Sequence, residues 1–220
     1  MIKYVLFDLD GTLLSTLESI AHHLSGTLES LSLGNVSVED CRKFIGNGAR
    51  KLVSRALAKN GVFDEGKISE ALLKYNCAYD SDPIPYTTPY EGVESLIDNL
   101  YENGIVLGVV TNKPEPTAKK LIEHFFPGKF SFVRGGCEGV VLKPDPVESI
   151  KMLSTVGGKA SECAFVGDTP VDIETGKNMK AALSIGVTWG FRSREELILS
   201  GADYVADNAD EVLRAITEVI

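Results

Sequence analysis

Two aspartates near the start of the chain have the spacing of a catalytic or metal-binding pair. Asp8 and Asp10 end a short apolar run that begins at Tyr4, and Gly11 and Thr12 follow them as a sharp turn and a supporting hydroxyl. Side chains at i and i+2 of an extended backbone point to the same side, so the two carboxylates are predicted to share one small site. Neighbouring anions favour a bound cation or a shared proton. Taken alone, the stretch fits metal-assisted chemistry and an ordinary strand-ending turn equally well.

Further polar groups that could complete such a site follow later apolar runs. A hydroxyl and an amide follow the run 105–110, a lysine lies in the segment 142–146, and two more carboxylates follow the run 163–166. These residues are Thr111, Asn112, Lys143, Asp168 and Asp172. Parallel α/β sheets bind ligands at the C-terminal ends of their strands, which would bring the groups together.

This set of side chains suits phosphoryl transfer. Mg²⁺ prefers oxygen ligands, often one or two carboxylates, and Asp8 and Asp168 could supply them. A carboxylate can attack phosphorus and form an aspartyl phosphate, while Asp10 could protonate the leaving oxygen and later deprotonate water. The hydroxyl, the amide and the lysine could hold the phosphoryl oxygens and offset charge in the transition state.

Helical periodicity dominates the first third of the chain, and strands alternate with helices in the rest. Four helices are predicted at 13–33, 38–45, 49–58 and 67–80, before a proline-rich break at 82–89. Strands at 105–110, 130–134, 163–166, 182–185 and 204–205 alternate with helices at 92–103, 116–125, 146–156, 172–178 and 209–219. The predicted fold class is therefore α/β: a doubly wound parallel sheet from 1–14 and 85–220, with an inserted all-helical segment at 15–84.

The four polar clusters, in this order, strongly resemble the motifs of the haloacid dehalogenase superfamily. They are the D-x-D-G-T strand end at 8–12, the threonine at 111, the lysine at 143 and the G-D-x-x-x-D loop at 167–172. The resemblance implies a Rossmann-like catalytic core, a helical cap domain at 15–84 and a phosphoric monoester hydrolase. Within the superfamily, the segments 44–49, 110–114 and 142–146 are most similar to phosphoglycolate phosphatases. One departure is Leu13-Leu14-Ser15-Thr16, where many relatives have Leu-Val-Asp-Ser.

The resemblance implies a role for each core residue. Asp8 is expected to be the nucleophile and Asp10 the general acid and base. Thr111 is expected to contact the phosphoryl group and Lys143 to steady it. Mg²⁺ is expected to be held by Asp8, Asp168 and the main-chain carbonyl of Asp10.

Residues around this core have weaker sequence signals. Asp172 would support the lysine or the waters of the metal, and its alternative is a first-turn helix aspartate favoured by the helix dipole. In the cap, the loop that contains Gly48 is predicted to reach over the site, where Arg50 or the loop amides would bind a substrate carboxylate, since arginine suits bidentate recognition. A helix connection with solvated cations is an equal alternative. Lys113 and Asp145 are interpreted as loop residues rather than catalysts.

Composition excludes several classes of protein. The net charge of −9 argues against a nucleic-acid binder that neutralises phosphates. No apolar run is long enough to cross a membrane, so no membrane partner is expected. The four cysteines form no C-x-x-C pair, which favours a reduced cytoplasmic protein with buried thiols. A monomer and a homodimer both remain compatible with the sequence.

The predicted activity is Mg²⁺-dependent hydrolysis of a small phosphate ester, with 2-phosphoglycolate as the expected substrate. An inorganic pyrophosphatase and a β-phosphoglucomutase-like enzyme would use the same residues. A binding module without catalysis is the alternative from another class, although such a module would have no chemical need for Asp8, Asp10, Lys143 and Asp168 together.

Overall fold

A six-stranded sheet forms the centre of the molecule in the computed structural model, which describes residues 1–218. Its strands are β1 (Tyr4–Phe7), β4 (Val106–Pro114), β5 (Phe132–Gly136), β6 (Cys163–Gly167), β7 (Leu183–Val187) and β8 (Tyr204–Ala206). Two short strands, β2 (Leu14–Ser15) and β3 (Thr88–Pro89), form a separate pair. The strand order in the main sheet is β5-β4-β1-β6-β7-β8, and all neighbouring strands are parallel. The predicted α/β fold with a doubly wound parallel sheet is confirmed.

Ten helices accompany the sheet in residues 1–218. Four precede β3: α1 (Leu17–Ser30), α2 (Val38–Phe44), α3 (Ala49–Lys59) and α4 (Glu65–Ser81). Six follow it: α5 (Val93–Glu102), α6 (Glu115–Phe125), α7 (Val147–Thr155), α8 (Pro170–Asn178), α9 (Arg194–Leu199) and α10 (Ala209–Thr217). None of these helices has the length and apolar character that crossing a membrane requires.

The central strand β1 is buried on both faces. Val5 and Phe7 pack into a hydrophobic cluster with α5, α6 and α10, whereas Leu6 joins a second cluster that includes Leu153 of α7 and Phe165 of β6. This alternation follows from the two-residue period of a strand, and burial of both faces explains why β1 is a continuous apolar run. Helices on both sides of the sheet therefore hold the ends of its central strands in place.

The helices α1–α4 form a second hydrophobic core of their own. Leu24, Leu57 and Tyr75 are among its buried side chains, and Phe191 from the sheet-bearing part packs into it. The chain leaves the sheet through β2 and returns through β3, which pair in antiparallel fashion with Ser15 opposite Thr88. The division into a cap at 15–84 and a core at 1–14 and 85–220 stays a prediction, and the four helices lie within the predicted cap.

The element boundaries differ from the predictions in a few places. The first helix begins at Leu17 rather than Leu13, because Leu13 and Leu14 donate to the Leu9 carbonyl in a turn and Leu14 then pairs with Pro89. β4 continues to Pro114 instead of ending at Val110. α8 begins two residues early, and β2, β3 and α9 were not predicted. The predicted end of the last helix at Val219 lies outside the described residues.

The cysteines are unpaired in the described residues, and only two of them are buried. Cys41 and Cys163 are buried, while Cys77 and Cys137 are exposed, so the expectation of buried thiols is wrong for the latter two. Burial raises the pKa of Cys41 to about 11 and that of Cys163 to about 12. Because the thiolate is the reactive species, the two buried thiols should react slowly, both because they stay protonated and because reagents cannot reach them.

We expect a thiol-specific disulfide reagent at pH 8 to label Cys77 and Cys137 in the folded protein and all four cysteines after unfolding. Spectrophotometric titration with and without denaturant measures both numbers. The double variant Cys77→Ser with Cys137→Ser is the control and should stay unlabelled until it unfolds. Rapid labelling of all four thiols in the folded protein would contradict the burial.

Candidate active site

The predicted site residues converge at the C-terminal ends of three adjacent strands. Asp8 follows β1, Thr111 lies in the last part of β4, and Asp168 follows β6. The strands β4 and β6 flank β1, and the chain reverses its direction across the sheet there. Ligands of doubly wound sheets bind at such a point because neighbouring loops diverge and leave a crevice.

Lys143 connects two carboxylates at the centre of the site. Its Nζ lies 2.8 Å from Asp8 Oδ1 and 2.6 Å from Asp172 Oδ1. Burial alone would lower the pKa of Lys143, but Asp172 and Asp8 raise it to about 12. Lys143 is therefore an ammonium ion held between Asp8 and Asp172.

Asp172 also caps α8, in whose first turn it lies. Its Oδ2 accepts hydrogen bonds from the Thr169 main-chain N–H at 3.0 Å and from the Thr169 hydroxyl at 2.7 Å. Both alternatives considered for this residue are thus present: it is a first-turn aspartate of α8, and it binds Lys143. The helix start consequently fixes where the lysine ammonium lies.

Asp168 is fully buried beneath the turn that follows Asp10. Its Oδ1 accepts from the Thr12 hydroxyl at 3.1 Å, and its Oδ2 accepts from the Phe191 N–H at 2.8 Å. Gly11 has φ +87° and lies so close that an added Cβ would be 2.4 Å from Asp168 Oδ2. Glycine is required there by both the positive φ and the close approach.

Three carboxylates at this point can hold a cation. Oxygens of Asp8, Asp168 and Asp172 all lie within 4.8 Å of one another. Asp8 Oδ1 accepts no hydrogen bond from the described residues, although Lys143 is near. Burial, together with Asp172 and Asp8, raises the pKa of Asp168 well above its usual range. An all-oxygen set of this kind with surplus negative charge suits a hard divalent ion such as Mg²⁺.

Asn112 connects three segments of the site. Its side-chain oxygen accepts from the Lys143 N–H at 2.8 Å, and its Nδ2 donates to the carbonyls of Lys143 and Gly46 at 3.1 and 3.2 Å. The Gly46 carbonyl belongs to the loop between α2 and α3, so the cap is in contact with the core. Gly48, at φ +82°, lies against the same contact: an added Cβ would be 3.5 Å from the Asn112 carbonyl oxygen.

Lys113 is a buried residue of the site, so its interpretation as a loop residue is wrong. Its Nζ donates to Asp10 Oδ1 and Oδ2 at 3.0 and 3.2 Å and to the Tyr79 hydroxyl at 2.8 Å. Lys113 lies two positions after Thr111 on β4, so alternation along a longer strand would have placed both side chains on one side. Tyr79 comes from α4 of the cap and had no sequence signal.

Arg50 does not reach the site. Its guanidinium pairs with Glu65 at 2.5 Å on the cap surface, with 54% and 76% of the two side chains exposed. Arg50 is the second residue of α3 and does not line the cavity, whereas Gly48 and Ala49 do. The prediction that Arg50 contacts substrate is therefore not supported by this arrangement, and the solvated-cation alternative describes it better.

The segment 189–192 of the core holds the cap in place. Arg192 donates to the carbonyls of Arg42 and Ile45, both at 3.0 Å, and Arg42 donates to the Gly190 carbonyl at 3.2 Å. The Trp189 indole N–H donates to the Thr12 carbonyl at 3.0 Å and so steadies the first motif. These contacts close the cap over the site.

A small cavity of about 50 Å³ lies between core and cap, with polar side chains on its core side. Its floor includes the site side chains Asp8, Asp10, Thr111, Asn112 and Lys143. Its cap side is largely apolar and is formed by Ile20, Ile45, Leu52, Tyr75 and Tyr79. The volume leaves room for only a few water-sized groups.

Fold and site together define a hydrolase with an aspartate pair at the end of the central strand of a parallel sheet. Residues 5–185 match the haloacid dehalogenase-like hydrolase family, and the chain belongs to this family. The resemblance noted from the sequence motifs is thereby confirmed.

Several relatives that align along most of the chain are named phosphoglycolate phosphatases. It is 31% identical over 220 residues to the phosphoglycolate phosphatase of Vibrio parahaemolyticus, covering 98% of this chain and 96% of the relative. It is 34% identical over 192 residues to that of Aquifex aeolicus, covering 86% of each. A crystal structure from Lactobacillus delbrueckii subsp. bulgaricus, provisionally named a phosphoglycolate phosphatase, has a TM-score of 0.90 at 30% identity, covering 97% of this chain and 98% of that one.

The raised pKa of Asp8 predicts that the stability of the metal-free protein depends on pH. Burial raises the pKa of Asp8 to about 6, although Lys143 opposes the shift. An aspartate in an unfolded chain has a pKa of about 4. A carboxyl with the higher pKa in the folded state stabilises the fold fully below the unfolded pKa and loses that contribution as the pH rises through the folded pKa.

We therefore expect the difference in unfolding free energy between Asp8→Asn and the wild type, measured in chelator, to change with pH. From pH 4 to pH 7 it should shift in favour of Asp8→Asn by on the order of 2 kcal/mol. The asparagine cannot ionise, so it avoids the loss that the wild type undergoes. Urea unfolding at several pH values measures the difference. Asp145→Asn, at an exposed loop aspartate, is the matched control. A difference for Asp8→Asn that does not change with pH would contradict the raised pKa.

Proposed function

We propose that the protein is a Mg²⁺-dependent phosphatase that hydrolyses 2-phosphoglycolate, a small phosphorylated metabolite, through an aspartyl-phosphate intermediate. The observation that carries the proposal is the buried Asp8 carboxylate, which faces the cavity beside Lys143 and Asp168. The names of relatives that align along almost the whole chain support the substrate.

In the first step, an Asp8 oxygen bonds to phosphorus as the ester oxygen leaves, and Asp10 gives that oxygen a proton. In the second step, Asp10 takes a proton from a water molecule that attacks phosphorus, and the Asp8 carboxylate leaves. The proximity of Asp8 and Asp10 at the end of β1 allows one substrate position to serve both steps.

Several groups of the chain would stabilise the transferred phosphoryl group. Lys143 neutralises charge next to Asp8, and the Thr111 hydroxyl, which lines the cavity, can donate to a phosphoryl oxygen. Asn112 would act mainly by holding the Lys143 backbone in place. Mg²⁺, held by Asp8, Asp168 and the Asp10 carbonyl, would offset phosphoryl charge when bound.

The position of the cap over the site favours a small substrate. Residues of the segment 46–49 line the cavity, and its largely apolar cap side would limit the access of bulk water to the reacting groups. The N–H groups at the start of α3 adjoin this loop, and such groups favour an anion. A compact ester with a second anionic group would fit this environment better than a sugar phosphate or a nucleotide.

The proposal includes a cytoplasmic location and action as a monomer or homodimer. The location is supported by the four unpaired thiols of the described residues, because disulfides are rare in reducing compartments. The net charge of −9 supports a small-molecule substrate rather than a nucleic acid.

We expect the purified protein to release phosphate from 2-phosphoglycolate with Mg²⁺, and to lose this activity in excess chelator or with Asp8→Asn. Asp8→Asn removes the attacking carboxylate, and the chelator removes the positive charge that would offset the charge on the phosphoryl group. A colorimetric phosphate assay measures the release. Asp145→Asn, an Asp-to-Asn change outside the cavity, is the control and should retain activity.

A substrate panel separates the alternatives. Faster release from pyrophosphate, or transfer to a sugar instead of water, would replace the proposed reaction with pyrophosphatase or mutase activity. Phosphate release that survives Asp8→Asn would refute the aspartyl-phosphate mechanism. Binding of a phosphate ester without any turnover would leave only the binding module.

Arg50→Ala should leave the KM for 2-phosphoglycolate within about twofold of the wild-type value, since the exposed Arg50–Glu65 pair contributes little and lies outside the cavity. Steady-state kinetics with Glu65→Ala as the companion variant tests this. A tenfold or larger rise in KM for Arg50→Ala alone would return Arg50 to the substrate-binding groups.

A further inference from the structure

Lys113 is the less strongly bound of the two cationic side chains that line the cavity among the described residues. The other, Lys143, lies between two carboxylates, those of Asp8 and Asp172. Lys113 has one carboxylate partner, Asp10, and a neutral phenol, Tyr79. Of the two ammonium groups, Lys113 can therefore exchange its partner at the smaller electrostatic cost.

The Lys113 ammonium lies between the Asp10 carboxylate of the core and the cap helix α4. On one side its Nζ contacts Asp10, and on the other it contacts the Tyr79 hydroxyl of α4, with only 2% of the lysine side chain exposed. A substrate with its phosphorus at Asp8 must direct its other end toward the cap side of the cavity. That side is mostly apolar, so a charged group there would need a nearby cation to offset the loss of hydration.

The present contact also occupies the proposed general acid. The Lys113 ammonium donates to both carboxylate oxygens of Asp10, at 3.0 and 3.2 Å. Asp10 needs one of these oxygens to donate a proton to the leaving group. Lysine has a flexible four-carbon stem, so its ammonium can move without any change in the backbone.

We propose that Lys113 selects substrates with a second anionic group next to the phosphate ester, by transferring its ammonium from Asp10 to that group. The transfer pairs the buried substrate anion and frees an Asp10 oxygen for the leaving group. Tyr79 stays in contact and keeps the ammonium at the cap side. A neutral ester offers no partner, so Lys113 stays on Asp10. This inference rests on the proposed phosphatase activity and adds how its substrate is chosen.

Two esters of matched size test the inference. 2-Phosphoglycolate carries a carboxylate, and 2-hydroxyethyl phosphate carries a neutral hydroxymethyl group at the same place. The ratio of their kcat/KM values is measured with Mg²⁺ for the wild type, for Lys113→Met and for Lys119→Met. Lys119 is an exposed lysine that pairs with Glu115 on α6, so it is the matched control.

We expect the wild type and Lys119→Met to prefer 2-phosphoglycolate. Lys113→Met should reduce this preference by on the order of 10- to 100-fold, the usual effect of losing a hydrogen bond to a charged group. The loss in kcat/KM should be larger for 2-phosphoglycolate than for the neutral ester, so that the ratio of the two values falls. An equal loss with both esters would overturn the inference and leave Lys113 as a residue that only positions Asp10.

Lys113→Arg and Lys113→Gln keep the test decisive if Lys113→Met fails to fold, as judged by circular dichroism. The arginine variant retains the charge and should keep a preference for the carboxylate ester, which the glutamine variant should lose. Equal ratios for the two variants would overturn the inference. Hydrolysis of neither ester by the wild type would defeat the proposed function itself, whereas equal hydrolysis of both by the wild type would defeat only the selection by Lys113.

Discussion

The structure depends on one buried ammonium that lies between carboxylates at the end of the central strand. Lys143 binds Asp8 and Asp172, while Asp168 adds a third carboxylate within 4.8 Å of the other two. Burial raises the pKa values of Asp8 and Asp168, and the neighbouring carboxylates add to the shift. The surplus negative charge of the three carboxylates suits a divalent cation. The surrounding fold supplies the restraint: Asp172 is fixed by the start of α8.

Contacts between core and cap determine how the rest of the site is completed. Most of them use main-chain carbonyls, as in Asn112 to Gly46 and Arg192 to Ile45. Such contacts hold the cap in position without requiring particular side chains on the cap. The contact of Lys113 with Tyr79 is different, because it joins a cap side chain to the Asp10 carboxylate through a lysine. Closure of the cap and the arrangement of Asp10 are therefore physically connected.

The sequence predicted those parts of the site that depend on short-range geometry. Asp8 and Asp10 could be paired because side chains two apart on a strand share a side, and Asp168 could be placed because it follows a buried apolar run. The same rule failed for Lys113, since β4 was predicted to end at Val110 although pairing with β5 extends it to Pro114. The prediction for Arg50 rested on its position next to a glycine-rich loop, which does not reveal that its guanidinium pairs with Glu65 on the surface.

The sequence by itself determined the order of the six main-sheet strands and of nine helices, the α/β class, the three groups of polar residues at strand ends and the segment that holds Lys143. These follow from hydrophobic periodicity and turn chemistry, which act over a few residues. Only the tertiary structure decided which ammonium faces which carboxylate, where α1 begins and which cap residues line the cavity. Lys113 and Tyr79 are 34 positions apart, and Lys113 and Asp10 are 103 apart. Contacts at such separations depend on how whole helices and strands pack, and no local pattern encodes that distance.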